Sequence, residues 1–156
     1  MDSLPAAPFA TDVEPPPQRT FGFRLWAVKH AWTRRLEAVL EPTGLTHMQY
    51  IIMRCIGHVA AEGALPSQVR IAETMGIDRM TVSKVVRTLE AKGLLARRPH
   101  PDDPRANLVV LTGAGEARMH QAVELALAEQ DRFFGRLGPR RQAALGVMLD
   151  ELLEDI

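Results

Sequence analysis

Between positions 79 and 88 the chain arranges Arg79, Thr81, Ser83, Lys84, Arg87 and Thr88 around Val82, Val85 and Val86. Guanidinium, ammonium and hydroxyl groups are the donors that hold phosphate oxygens and read base edges. Arg79, Ser83 and Arg87 are spaced i, i+4, i+8, so on a helix they share one face. The valines and Leu89 would form the opposite, inward face. Taken alone, such a helix is most simply a solvated surface element. A second basic run follows in "RRPHPDDPRANLVVLT", Arg97 to Thr112, where Arg97, Arg98 and Arg105 flank a proline-broken acidic bend. The adjacent carboxylates Asp102 and Asp103 need not face one pocket on an exposed tip, which argues against acid–base catalysis there. Asp103 beside Arg105 can instead fix the direction of the arginine.

Other chemistries find less support. Cys55 is the one cysteine, which excludes an internal disulfide framework and a cysteine-based zinc cage. Its place on an apolar stripe favours an inert buried thiol over a redox sensor. His30, His47, His58, His100 and His120 show no paired ligand spacing, so neither a metal nor another cofactor is expected. There is no G-x-S-x-G, no H-E-x-x-H and no phosphate-binding glycine loop, so the chain does not read as an enzyme.

Composition sets the frame for these groups. A chain of 156 residues with 46% hydrophobic and 24% charged residues matches one ordinary globular domain. Aromatics make up 5%, so packing leans on aliphatic residues and favours helices. The formal net charge is zero, which disfavours indiscriminate coating of nucleic acid. The balance is uneven, however. Arg79, Lys84, Arg87, Lys92, Arg97 and Arg98 face only Glu90 in their stretch, whereas acidic residues dominate from Glu116 onward. A phosphate backbone would feel that local basic field rather than the total. No apolar run reaches the ~18 residues of a membrane span. Residues 1–19 are rich in Pro and Ala, carry Asp2, Asp12 and Glu14, and lack the apolar core of a signal peptide. They read as a disordered leader on a cytoplasmic protein.

Periodicity then supplies the elements that must position the basic groups. Leu25, Val28, Trp32, Leu36 and Val39 mark a helix from about Thr20, ended by Pro42 and Gly44. Thr46 and Gln49 form a capping box for a second helix with Met48, Ile52, Cys55, Ile56 and Val59 inward. Ser67 caps a short third helix with Val69, Ile71, Ala72 and Met75 inward, and Gly76 suits its left-handed end. Asp78 caps the fourth, with Ile77 and Val82 as a hydrophobic staple. "LLARR" and "NLVVL" read as two strands, joined through Pro99, Pro101 and Pro104. Thr112 caps a fifth helix containing Met119, Val123, Leu127 and Phe134. Pro139 opens a last helix with Leu145, Met148, Leu149 and Leu152.

Two short helices around a glycine turn, followed by a hairpin, make a mainly α winged helix-turn-helix. Its second helix would enter the major groove, supported by the helix that Ser67 begins. Candidate DNA contacts are therefore Ser67, Arg79, Thr81, Ser83, Lys84, Arg87, Arg97, Arg98 and Arg105. Arg105 at the wing tip would reach the minor groove, whose negative potential draws arginine.

The segment "PSQVRIAETMGIDRMTVSKVVRTLEAKGLLARRPHPDDPRANLVVLTGAG", Pro66 to Gly115, resembles the multiple-antibiotic-resistance-regulator (MarR) family of bacterial transcription factors. The specific parts are "IA…MGIDRMTVSKVVRTLEAKGL", "DPR" at Asp103 to Arg105, and "LT..G" at Leu111 to Gly115. Met80 departs from the pattern, standing where the family often has a small hydroxyl residue. The resemblance implies a single MarR-like domain over 20–156. Residues 64–112 would be the winged helix-turn-helix, and 20–60 and 113–156 the helices of a homodimer. It further implies a regulator, most often a repressor, that binds a palindromic double-stranded operator. A small aromatic or phenolic effector would release it, with Trp26, His30, His47 and Tyr50 as candidate lining. The alternative is a helical protein-interaction module of the same fold that does not bind DNA.

Overall fold

A computed structural model describes residues 20–101 and 107–154. The expected leader and the wing tip, with Asp102, Asp103, Pro104 and Arg105, lie outside the described residues. Two units are distinguished, Met1–Arg34 and Arg35–Ile156. Within the first lies the start of helix α1, Phe21–Leu40, whose opening turn has Thr20 Oγ1 accepting from the Phe23 N–H at 3.3 Å. Its apolar residues stand in solvent: Leu25 and Val28 are exposed, as are Phe21 and Trp26.

The second unit carries the remaining elements. Leu36 and Leu40 bury the end of α1, and a 3-10 turn, Glu41–Thr43, leads to Gly44 at φ 65°. Helix α2, His47–Ala61, opens on the expected capping box. The Gln49 N–H donates to Thr46 Oγ1 at 3.3 Å, and Gln49 Oε1 accepts from the Thr46 N–H at 3.2 Å. That amide oxygen also accepts from Lys92 Nζ at 2.9 Å, while the same ammonium donates to the Gly44 carbonyl at 2.8 Å. Lys92 is thus a strut beneath α2, not part of a free basic surface.

Helices α3, Gln68–Met75, and α4, Arg79–Ala91, begin on Ser67 and Asp78 as their caps predict. Gly76 closes α3 in the left-handed region at φ 60°, the conformation a side chain resists. Both helices pack on α2. Their shared core is Ile52, Met53, Ile56, Val59, Ile71, Val82, Val86 and Leu89, all buried. Met53 was outside the predicted stripe of α2 but is wholly buried, because α2 is covered on two sides and its apolar arc is wider than one stripe. Val69 reverses the expectation: it points out of the core, 37% exposed. In an eight-residue helix only Ile71 and Ala72 reach the buried side. Val85, Met48 and Met75 are half-buried rather than core.

Strands β1, Leu95–Pro99, and β2, Asn107–Leu111, pair antiparallel with Leu95 opposite Leu111 and Arg98 opposite Leu108. Pro99 ends β1 rather than lying in the connection, a terminal position where a missing N–H is tolerated. The hairpin is anchored to α3: the Val109 N–H donates to the Pro66 carbonyl at 2.9 Å, and Ser67 bridges Leu108.

Helix α5, Gly113–Phe134, is fastened where the wing ends. Thr112 Oγ1 donates to the Gly93 carbonyl at 2.7 Å and accepts from the Gly115 N–H at 3.0 Å, and the Thr112 N–H donates to the Leu94 carbonyl at 3.1 Å. A Cβ on Gly115 would overlap the Leu94 carbonyl oxygen, which accounts for glycine there. Farther along, Glu129 is buried and paired with Arg35 from the end of α1 and with Arg132. Helix α6, Pro139–Leu153, exposes Val147, Met148, Leu149, Leu152 and Leu153, and Leu127 of α5 is also exposed. Among the described residues no helix is long and apolar enough to cross a membrane.

Gly115→Ala is expected to destabilise the protein by about 2–3 kcal/mol, because a backbone carbonyl cannot yield to the new methyl. Gly113→Ala, two residues away in open space, should be neutral or slightly stabilising. Equal thermal midpoints for the two variants would contradict the close approach. Cys55 is buried and burial pushes its thiol pKa up. A disulfide reagent should therefore label the native protein on the order of a hundred-fold more slowly than an unstructured cysteine peptide. Rapid labelling without denaturant would refute a buried thiol.

Candidate nucleic-acid interface

The apolar seam of α4 determines what its other side offers. With Val82, Val86 and Leu89 buried, Arg79, Lys84, Arg87 and Thr88 are turned to solvent, and Thr81 and Ser83 lie half-exposed between. Together with Gln68 and Val69 of α3, and with Asp78 and Met80, they line an open concavity between the starts of α3 and α4. Six of the predicted DNA-contact residues are on or beside this surface: Ser67, Arg79, Thr81, Ser83, Lys84 and Arg87.

Hydrogen bonds set which of these groups remain available. Asp78 accepts from the Thr81 N–H at 2.8 Å and from Thr81 Oγ1 at 2.6 Å. These bonds, the side-chain one foremost, hold the Asp78 carboxyl below its usual range. Stability from this cap is present above the unfolded carboxyl pKa and fades only as pH falls through the lower folded one. Thr81 therefore spends its hydroxyl proton on the cap. Ser67 Oγ likewise accepts from the Arg70 N–H at 3.2 Å. Thr88 Oγ1 donates to the Lys84 carbonyl at 3.1 Å, and Arg87 Nε leans on the Ser83 carbonyl at 3.4 Å. Arg79 and Lys84 make no ion pair among the described residues, so their charge faces the concavity.

Strand β1 of the wing divides its two arginines. Successive side chains of a strand alternate in direction. Arg97 turns to α4 and meets Glu90, with Nε 2.9 Å from Oε1 and 3.1 Å from Oε2. Arg98 is exposed and makes no ion pair among the described residues. Arg97 thus first buttresses the strand against α4. The predicted effector residues fall into two groups. Trp26 and His30 stack on α1 with ring centroids 5.4 Å apart and planes 4° from parallel. His47 and Tyr50 sit in the first turn of α2, where burial raises the Tyr50 pKa, opposed by Arg54. No group of three or more potential metal ligands occurs among the described residues.

Sequence reasoning missed Gln68, Val69 and Met80 as parts of the surface. Val69 was assigned to the core by its apolar character, and Met80 was noted only as a departure from a pattern. The available signal was position: each lies within two residues after an N-cap, where a helix end stands clear of its neighbours.

Comparison with known proteins agrees with this geometry. The family model described as "MarR family" matches residues 45–106. The HTH-type transcriptional regulator YdcH of Bacillus subtilis is 31% identical over 88% of this chain and 92% of its own. CouR from Rhodococcus jostii RHA1, solved with p-coumaroyl-CoA, is 28% identical with a TM-score of 0.74, covering 89% of this chain and 93% of CouR. A mutant MarR from E. coli, solved in complex with operator DNA, is 25% identical with a TM-score of 0.76, covering 85% and 92%. A sequence likeness that spans nearly the whole of YdcH, with a fold that matches these solved regulators, makes the chain a member of the MarR family of DNA-binding transcriptional regulators, which are not enzymes.

Proposed function

We propose that the protein is a dimeric, ligand-responsive repressor that binds a palindromic operator through the concavity between α3 and α4. The observation that carries this reading is the outward display of Arg79, Lys84 and Arg87 beside the first turns of two capped helices. Cations at that spacing suit phosphates on either side of a major groove, and the helix between them suits its floor. Arg98 would hold phosphate from the wing. Arg105, oriented by Asp103, would enter the minor groove, and Arg97 would contribute once its pairing with Glu90 is shared with a phosphate. Ser67 would meet the backbone at the start of α3.

Dimerisation is supported by the exposed large apolar residues on α1 and α6, which need a covering partner. Two-fold symmetry then sets half-sites one helical turn apart, ~34–36 Å. The DNA-bound MarR relative supports the operator role, and the p-coumaroyl-CoA complex of CouR supports an aromatic or phenolic effector. Here Trp26 with His30, and His47 with Tyr50, are the proposed effector contacts.

Binding to duplexes selected by the protein from a random library tests the proposal. Affinity should fall steeply with salt, reflecting counterion release. Lys84→Ala should lower the slope of log affinity against log salt by about one per subunit, and Arg87→Ala should weaken binding roughly 10- to 100-fold. Lys92→Met should cost stability but change neither quantity, because its ammonium is occupied beneath α2. Equal affinity for selected and scrambled duplexes would instead favour a protein-interaction module.

A further inference from the structure

Within the DNA-facing concavity two side chains have the wrong chemistry for phosphate. Met80, the second residue of α4, is 82% exposed, and Val69, the second residue of α3, is 37% exposed. Both line the same concavity. Nothing in the fold requires them there, since the core beneath is already filled by Ile71, Val82 and Val86. The hydroxyl and carboxylate that flank Met80 are engaged with each other, Thr81 Oγ1 donating to Asp78 Oδ2. The start of α4 therefore presents a thioether chain, with an isopropyl group across the concavity and Arg79, Lys84 and Arg87 around them.

The start of a recognition helix is the part that meets base edges. In the major groove the only apolar group offered by the four standard bases is the 5-methyl of thymine. An unbranched methionine can follow that methyl without exact placement. We propose that Met80, backed by Val69, is a specificity-determining contact that selects thymine by its 5-methyl group in each operator half-site. This deepens the reading of the concavity as a DNA interface and rests on it.

Single-atom-group substitution in the DNA isolates the contact. Duplexes selected by the full-length protein would be synthesised with each thymine replaced in turn by deoxyuridine, which removes the methyl and keeps the base pair. Binding would be followed by fluorescence anisotropy. For the wild-type protein, one thymine in each half-site should lose roughly four-fold in affinity per methyl. In Met80→Ala that thymine-to-uracil ratio should collapse toward one, whereas Met80→Leu should keep it. Arg87→Ala should weaken both duplexes alike and leave the ratio intact. A duplex that binds specifically yet tolerates every deoxyuridine overturns the methyl contact while sparing the interface, as does an unchanged ratio in Met80→Ala. Failure to select any duplex over scrambled DNA overturns the interface itself.

Discussion

Burial of Val82, Val86 and Leu89 against α2 and α3 is the constraint from which the rest of the surface follows. A helix has one orientation about its axis once such a seam is filled. With that seam inward, Arg79, Lys84, Arg87 and Thr88 are left facing solvent, with Met80 exposed among them. A polar residue at Val82 or Val86 would both open the core and release the rotation of α4. The cationic array is thus a consequence of packing on the opposite side of the same helix.

A second constraint keeps the wing in register with that helix. Gly93, Leu94, Thr112 and Gly115 form a knot of close backbone contacts where α4 ends, β1 begins, β2 ends and α5 starts. Arg97 and Glu90 brace the strand against α4 from the other side. Because α5 is rooted in this knot and also holds the end of α1 through Glu129 and Arg35, it joins the winged helix to the helical remainder of the second unit. Changes along α5 therefore have a direct covalent and hydrogen-bonded route to the position of the wing.

Much of this was legible from local chemistry. Thr46 with Gln49, Ser67, Asp78 and Thr112 each opened a helix where its side chain could satisfy a free N–H, and Gly76 ended one where a positive φ was needed. What local chemistry does not carry is which apolar residues find a partner. Val69 and Met53 are similar in character, yet one lines the open concavity at 37% exposure and the other lies at 0%, because only Ile71 and Ala72 of the short α3 reach the buried side. Lys92 and Arg97 likewise looked like members of a basic surface. Their true partners, Gln49 and Glu90, are brought to them by tertiary contacts that a charge count ignores. The glycine of "LT..G" was visible as a motif, but its reason, a carbonyl passing where a Cβ would be, is a property of the folded junction.

On the proposed reading, duplex DNA seats on the starts of α3 and α4. Backbone amide chemical shifts, followed as a selected duplex is added to isotope-labelled protein, report that most directly. The largest changes are expected over residues 67–70 and 78–88, with α6 little affected. Shifts concentrated on α5 and α6, with α4 unmoved, would contradict it.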